Sequence, residues 1–140
     1  MPIKMPLTLK IAVGLISFRV IITLFFIGFL FYNYIINDMP INLNIPETIK
    51  TFISDNQITN YTPIALGLIF IPLIFQLTAL ISIFRHKYYS TTSFLFLSLL
   101  ILLLTNWPII TFIAFLLAIS NSSRRYFKSK EKTPNIGVLD

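Results

Sequence analysis

Three long apolar runs constrain this chain more than any other feature. They are Ile11–Ile36, Pro63–Phe84 and Thr91–Ser120, and a single charge, Arg19, falls inside them. At about 1.5 Å per residue, a helix over the first reaches roughly 39 Å and one over the second roughly 33 Å, each sufficient for a hydrocarbon core of about 30 Å. The composition agrees. Of 140 residues, 56% are hydrophobic and 11% charged, and the mean hydropathy is +0.82. A soluble domain carries about 45–50% apolar and about 25% charged residues, so this chain lacks the polar surface to dissolve. A soluble enzyme, a disordered tail and a disulfide-stapled module are excluded, which leaves an integral membrane protein.

Topology turns on the third run. As one helix it would be about 45 Å long, too much for a single span. It contains Asn106-Trp107-Pro108, and proline both removes a helical hydrogen bond and pushes the preceding residue toward an extended conformation. The reading is a tight hairpin of two helices. The expected fold is all-α and polytopic, with four transmembrane helices over 11–36, 63–84, 91–105 and 108–126 in a membrane domain spanning 11–126. Thr62-Pro63 opens the second span, since proline tolerates the first helical position. Residues 1–10 form a cytoplasmic N-terminus, and 127–140 a basic cytoplasmic tail expected to lack fixed structure.

Charge placement supports four spans independently. Lys4, Lys10, Arg85, Lys87, Arg124, Arg125, Lys128, Lys130 and Lys132 then share one side, while the outer loop 37–61 holds Asp38, Glu47 and Asp55 against Lys50. The positive-inside rule makes the basic side cytoplasmic, at the cell or inner membrane. With three spans the basic tail would lie outside with nothing to offset it. The first run is far longer than the core of a signal peptide and no small-residue cleavage pattern follows it, so it reads as an uncleaved anchor. Asn60-Tyr61-Thr62 and Asn121-Ser122-Ser123 match the glycosylation pattern; one abuts a span and the other is cytoplasmic, so both are read as chance.

Catalytic chemistry finds little to build on. With no cysteine and a single histidine, His86, thiol catalysis and metal sites lack their ligands. No glycine-rich phosphate loop, HExxH pattern or nucleophile elbow occurs. No carboxylate is expected inside the membrane, which argues against a carboxylate-type proton carrier. No enzyme activity and no cofactor is expected. Arg124, Arg125, Lys128, Lys130 and Lys132 form a cluster that attracts anionic lipid headgroups, at about 1 kcal/mol per basic residue. Without a fold to present them to nucleic acid, these charges are not assigned that partner.

Polar groups inside the spans are the usual functional hint. Counted from the cytoplasmic ends, Arg19 and Gln76 both lie about 12 Å deep, with Ser98 and Thr111 near that level, giving one polar layer shared by four spans. Snorkelling of Arg19 and ordinary interhelical packing by Gln76 are the structural alternatives. Ala114 and Ala118 form a small-xxx-small pair suited to close helix approach. Pro72 should kink the second span and leave the carbonyl near Leu68 to be satisfied by neighbours. In the outer loop, Ile45, Ile49, Phe52 and Ile53 line one face of a short helix expected over Pro46–Asp55, a lid or a docking face. Tyr32, Tyr34, Tyr61 and Trp107 would mark the outer interface, and Tyr88, Tyr89 and Tyr126 the inner one.

The lead Pro6-Leu7-Thr8-Leu9-Lys10-Ile11-Ala12, the basic aromatic turn Phe84-Arg85-His86-Lys87-Tyr88-Tyr89 and the closing Tyr126-Phe127 resemble a widespread group of small, mostly uncharacterised prokaryotic four-helix membrane proteins. Where that group has Gly-Leu-Trp before the turn this chain has Ser82-Ile83-Phe84, and where it has Trp-Ala after it, Tyr88-Tyr89. The resemblance implies a fold and transfers no site. The leading functional expectation is an accessory or scaffold subunit working by helix–helix association with a membrane-protein partner or a second copy. An immunity protein against a membrane-active toxin and a small oligomeric transporter or channel for an anion are the readings from other classes.

Overall fold

The computed structural model describes residues 4–38, 47–56, 62–104 and 108–132. Among them the chain is all-α, with six helices: α1 (Leu7–Ile36), α2 (Glu47–Asp55), α3 (Thr62–Phe84), α4 (Tyr88–Leu103), α5 (Ile109–Ile119) and α6 (Asn121–Glu131). Two of these, α1 and α3, are long and apolar enough to cross a bilayer, whereas α4 and α5 are apolar but shorter.

Local chemistry sets most boundaries. Pro6 is extended and its carbonyl accepts from the amides of Leu9 and Lys10, so α1 starts at Leu7, a turn before the first apolar run. Helix α3 ends in a motif that closes its free carbonyls: the amide of Lys87 donates to Ser82 at 2.9 Å and that of His86 to Ile83 at 3.0 Å. The motif needs a left-handed residue, and His86 supplies it at φ 58° where glycine is usual. Because the turn is this tight, α4 begins at Tyr88, earlier than the expected 91; Thr91 instead turns its hydroxyl back onto the Lys87 carbonyl at 2.8 Å.

The expected last span over 108–126 is not one helix. At Ser120 the backbone leaves the helical region, at φ −56° and ψ 151°, and the Ser120 hydroxyl caps the new helix α6 by accepting from the Ser123 amide at 3.4 Å. Serine suits this position because its short side chain reaches the free amides of a first turn. Consequently residues 127–131, expected to belong to a tail without fixed structure, are helical, and α6 buries Tyr126 and Phe127. The loop residues Asn44, Ile45, Pro46 and Tyr61, the hairpin residues Thr105, Asn106 and Trp107, and residues 133–140 lie outside the described residues.

The four apolar helices close into a ring. Helix α3 packs chiefly on α4, α4 on α5, α5 on α1, and α1 on α3. Leu9, Ile16 and Val20 of α1, Leu73, Ala79 and Ile83 of α3, Leu95 of α4 and Ala114 and Ala118 of α5 meet at the centre, joined by Tyr126 and Phe127 of α6. Ala114 and Ala118 are fully buried inside the bundle, so the small-residue pair serves internal packing and is not an outward face. On α2, Ile53 is buried and Ile49 half-buried, while Phe52, expected on the same face, is exposed.

Candidate functional site

Two groups of polar residues are held by this framework. The first is the layer expected from the sequence. Gln76, Ser98 and Thr111 are 2%, 0% and 1% exposed. Gln76 Nε2 donates to Thr111 Oγ1 at 3.1 Å, which ties α3 to the first turn of α5. Ser98 Oγ donates to the backbone carbonyl of Pro72 at 3.4 Å, so α4 supplies a polar contact to α3 at its proline. The donor arrives at Pro72's own carbonyl, not at the carbonyl one turn earlier. Arg19 lies half-buried on α1, one residue before buried Val20, and its carbonyl accepts the Thr23 hydroxyl at 2.9 Å.

The second group was not legible as a site. Thr8 on α1, Ser120 at the α5–α6 break and Ser123 on α6 form a knot of three hydroxyls. Thr8 Oγ1 lies 3.2 Å from Ser123 Oγ, Ser120 Oγ lies 3.1 Å from Ser123 Oγ, and Ser120 Oγ lies 3.4 Å from Thr8 Oγ1. Ser123 also donates to the carbonyl of Leu117 at 2.9 Å, so its hydroxyl is used on both sides. The knot bolts the start of α1 to the end of α5.

Around it α6 docks by its aromatic residues. Tyr126 stands 5.6 Å from the His86 ring in an edge-on arrangement, and Phe127 lies 5.6 Å from the Tyr88 ring. Helix α6 therefore reaches from the first turn of α1 to the α3–α4 turn and covers that end of the bundle. His86 Nδ1 is buried and has no hydrogen-bond partner among the described residues. Of the basic residues expected to meet headgroups, Arg124, Arg125, Lys128 and Lys132 are exposed and Lys130 is half-buried. Lys4, Lys10, Arg85 and Lys87 are exposed on the segments that α6 touches or adjoins, so the end carries one composite basic surface.

Among the described residues, no group of three or more histidine, cysteine, aspartate or glutamate side chains could hold a metal ion. The signal that could have found the knot is Ser120-Asn121-Ser122-Ser123, a polar run directly after an apolar one and a recognised helix-start pattern. Comparison with protein-family models, with curated proteins and with solved structures finds no match to this chain.

Proposed function

We propose that this is an integral membrane protein that acts as a non-enzymatic accessory or scaffold subunit through helix–helix association. In this reading its four apolar helices are embedded in the inner membrane, with both chain ends and α6 on the cytoplasmic side. Large apolar side chains face outward from every one of the four, among them Phe25 on α1, Ile74 on α3, Phe96 on α4 and Phe112 on α5. Apolar surface on all sides of a bundle fits a hydrocarbon solvent, because monomers in water rarely expose contiguous patches beyond a few hundred Å². The composite basic surface faces the cytoplasm and makes anionic lipid headgroups its partner.

One observation carries the association role. Gly14, Phe18, Ile21, Phe25, Gly28 and Tyr32 step along α1 by alternating fours and threes, and all six are exposed. That spacing keeps one seam on a helix facing a partner helix. Both glycines open outward, with nothing within 4 Å of an added Cβ, and small residues on such a seam let backbones approach. The chain has no cysteine, so a benzophenone can be attached singly at Phe25→Cys and at Phe26→Cys, which is exposed but lies off the seam. In native membranes, irradiation should give one defined adduct from position 25 and none from position 26. A free monomer from both positions overturns the association role.

A further inference from the structure

Helix α1 meets its own bundle along one narrow face. Leu9, Ala12, Ile16 and Val20 are its buried residues, and Ile27 packs half-buried against the core beyond them. From Ile21 to Ile36 only Thr23, Ile27, Leu30 and Asn33 are half-buried, and every other residue is exposed. The seam through Phe18, Ile21, Phe25 and Gly28 lies on the opposite side of the helix, at 100° per residue. It extends to Ile11 at one end and Ile35 at the other, both exposed. Its two alternating positions differ in size. Ile11, Phe18, Phe25 and Tyr32 fall seven residues apart at one, and Gly14, Ile21, Gly28 and Ile35 at the other. Glycine is a poor helix former, and the described residues do not require it here, because an added Cβ at Gly14 or Gly28 meets nothing within 4 Å.

We infer that this seam is the contact between two copies of the chain, related by a two-fold axis along the membrane normal with their α1 helices parallel. The inference rests on the association reading above and names its partner. Orientation comes first. Charge placement gives every copy the same topology, so two seams meet parallel and at equal depth, as an isologous contact requires. Shape follows from that register. In parallel seams each side chain enters a hole between residues of the facing helix, which sets Phe18 between the other copy's Gly14 and Ile21. Phe25 falls between its Ile21 and Gly28, and Tyr32 between its Gly28 and Ile35. Each ring thus meets a glycine on one side and an isoleucine on the other, the alternation that lets layers interdigitate. Area is the third argument. The six large side chains of the seam from Ile11 to Ile35 are between 45% and 79% exposed. At about 100 Å² of exposed surface each, two copies cover about 1,200 Å², and the open glycine backbones add to it. Stable specific interfaces begin at about 1,200 Å².

One cysteine per chain tests this, because a two-fold seam sets a residue opposite itself. The single variants are Ile21→Cys, Phe25→Cys and Gly28→Cys on the seam, Phe26→Cys off it, and Phe96→Cys on the exposed face of α4. Mild oxidation of the full chain in native membranes should give a disulfide-linked species of twice the chain's mass from the seam positions. Its yield should exceed that from Phe26→Cys or Phe96→Cys at least tenfold. Gly14→Leu with Gly28→Leu fills both notches from sites where the monomer is open. That chain should resist denaturing detergent as well as the parent, while the disulfide yield from Ile21→Cys on its background falls at least tenfold. Equal yields at all five positions, or an undiminished yield in the leucine chain, overturn the paired copies. No disulfide on the seam, with a photo-adduct at Phe25→Cys of a mass other than twice the chain's, also overturns them but leaves the association role to a different partner. Absence of both disulfide and adduct overturns the association role itself.

Discussion

Gln76 and Thr111 show how a single buried hydrogen bond can be read by its asymmetry. The Gln76 side chain is long and fixed in the core, and its amide meets Thr111 Oγ1 at 3.1 Å. Thr111→Val keeps the shape and removes the acceptor, stranding the glutamine amide, and should destabilise the bundle by about 0.6–1.5 kcal/mol, the usual range for interhelical bonds in lipid. Gln76→Leu removes the demanding partner, while the Thr111 hydroxyl, in the first turn of α5, can turn to the carbonyl of Pro108 three residues before it. That variant should be neutral within about 0.5 kcal/mol. Unfolding in mixed micelles on a titration with denaturing detergent measures both, and an equal loss in the two variants would contradict the assignment. His86 illustrates the opposite case, a residue chosen by two demands at once. The left-handed turn favours glycine, but glycine could not place a ring against Tyr126.

Among the elements, α6 depends most on its surroundings. A helix of eleven residues, rich in charge, is marginal by itself in water. It persists through the Ser120 cap, the hydroxyl knot and the burial of Tyr126 and Phe127, with Phe127 at 1% exposure. Phe127→Ala empties a site lined by Tyr88 and Tyr126 and should cost about 3 kcal/mol, enough to release the helix. Limited trypsin digestion at Arg124 and Arg125 reads this directly: cleavage should accelerate at least tenfold in Phe127→Ala. It should stay at the wild-type rate in Lys128→Gln, where an exposed side chain changes. Both the cap and the buried pair were present in the sequence. They were unreadable as a separate helix because the expected span was carried past the apolar run, through Ser120 to Tyr126, and no periodicity distinguishes a helix that goes on from one that breaks and turns.

At the scale of the whole molecule, the chain is polarised along the bundle axis. One end carries exposed lysines and arginines on four segments, held in place because α6 is docked, and toward the far end most side chains of α1 are exposed and apolar. A fixed basic surface binds phosphates without first ordering a loose tail. In vesicles with anionic phospholipid the protein should be more stable than in purely zwitterionic ones. Replacing Arg124, Arg125 and Lys128 by glutamine should remove about 2–3 kcal/mol of that difference, at about 1 kcal/mol per basic residue near a charged surface. Raising the salt should shrink the gap in the parent chain, since exposed charges are screened beyond a Debye length of about 8–10 Å. A gap unaffected by either change would count against headgroup binding.

The sequence by itself determined the all-α class, the two long apolar helices and the presence of Gln76, Ser98 and Thr111 as polar residues within apolar runs. Hydropathy over twenty or more residues, and polar side chains within such runs, are local properties that survive any arrangement of the helices. It also marked Pro108 as the start of a new helix, with α5 beginning one residue later. Tertiary structure alone decided that α5 ends at Ser120 and that the basic segment is a docked helix. The break at Ser120 depends on register between helices, set here by Thr8 meeting Ser120 and Ser123 across more than a hundred residues of chain. Docking depends on whether Tyr126 and Phe127 find aromatic partners at Tyr88 and His86. Both are long-range pairings, and a run of apolar letters carries the energy of burial without specifying which surfaces will meet.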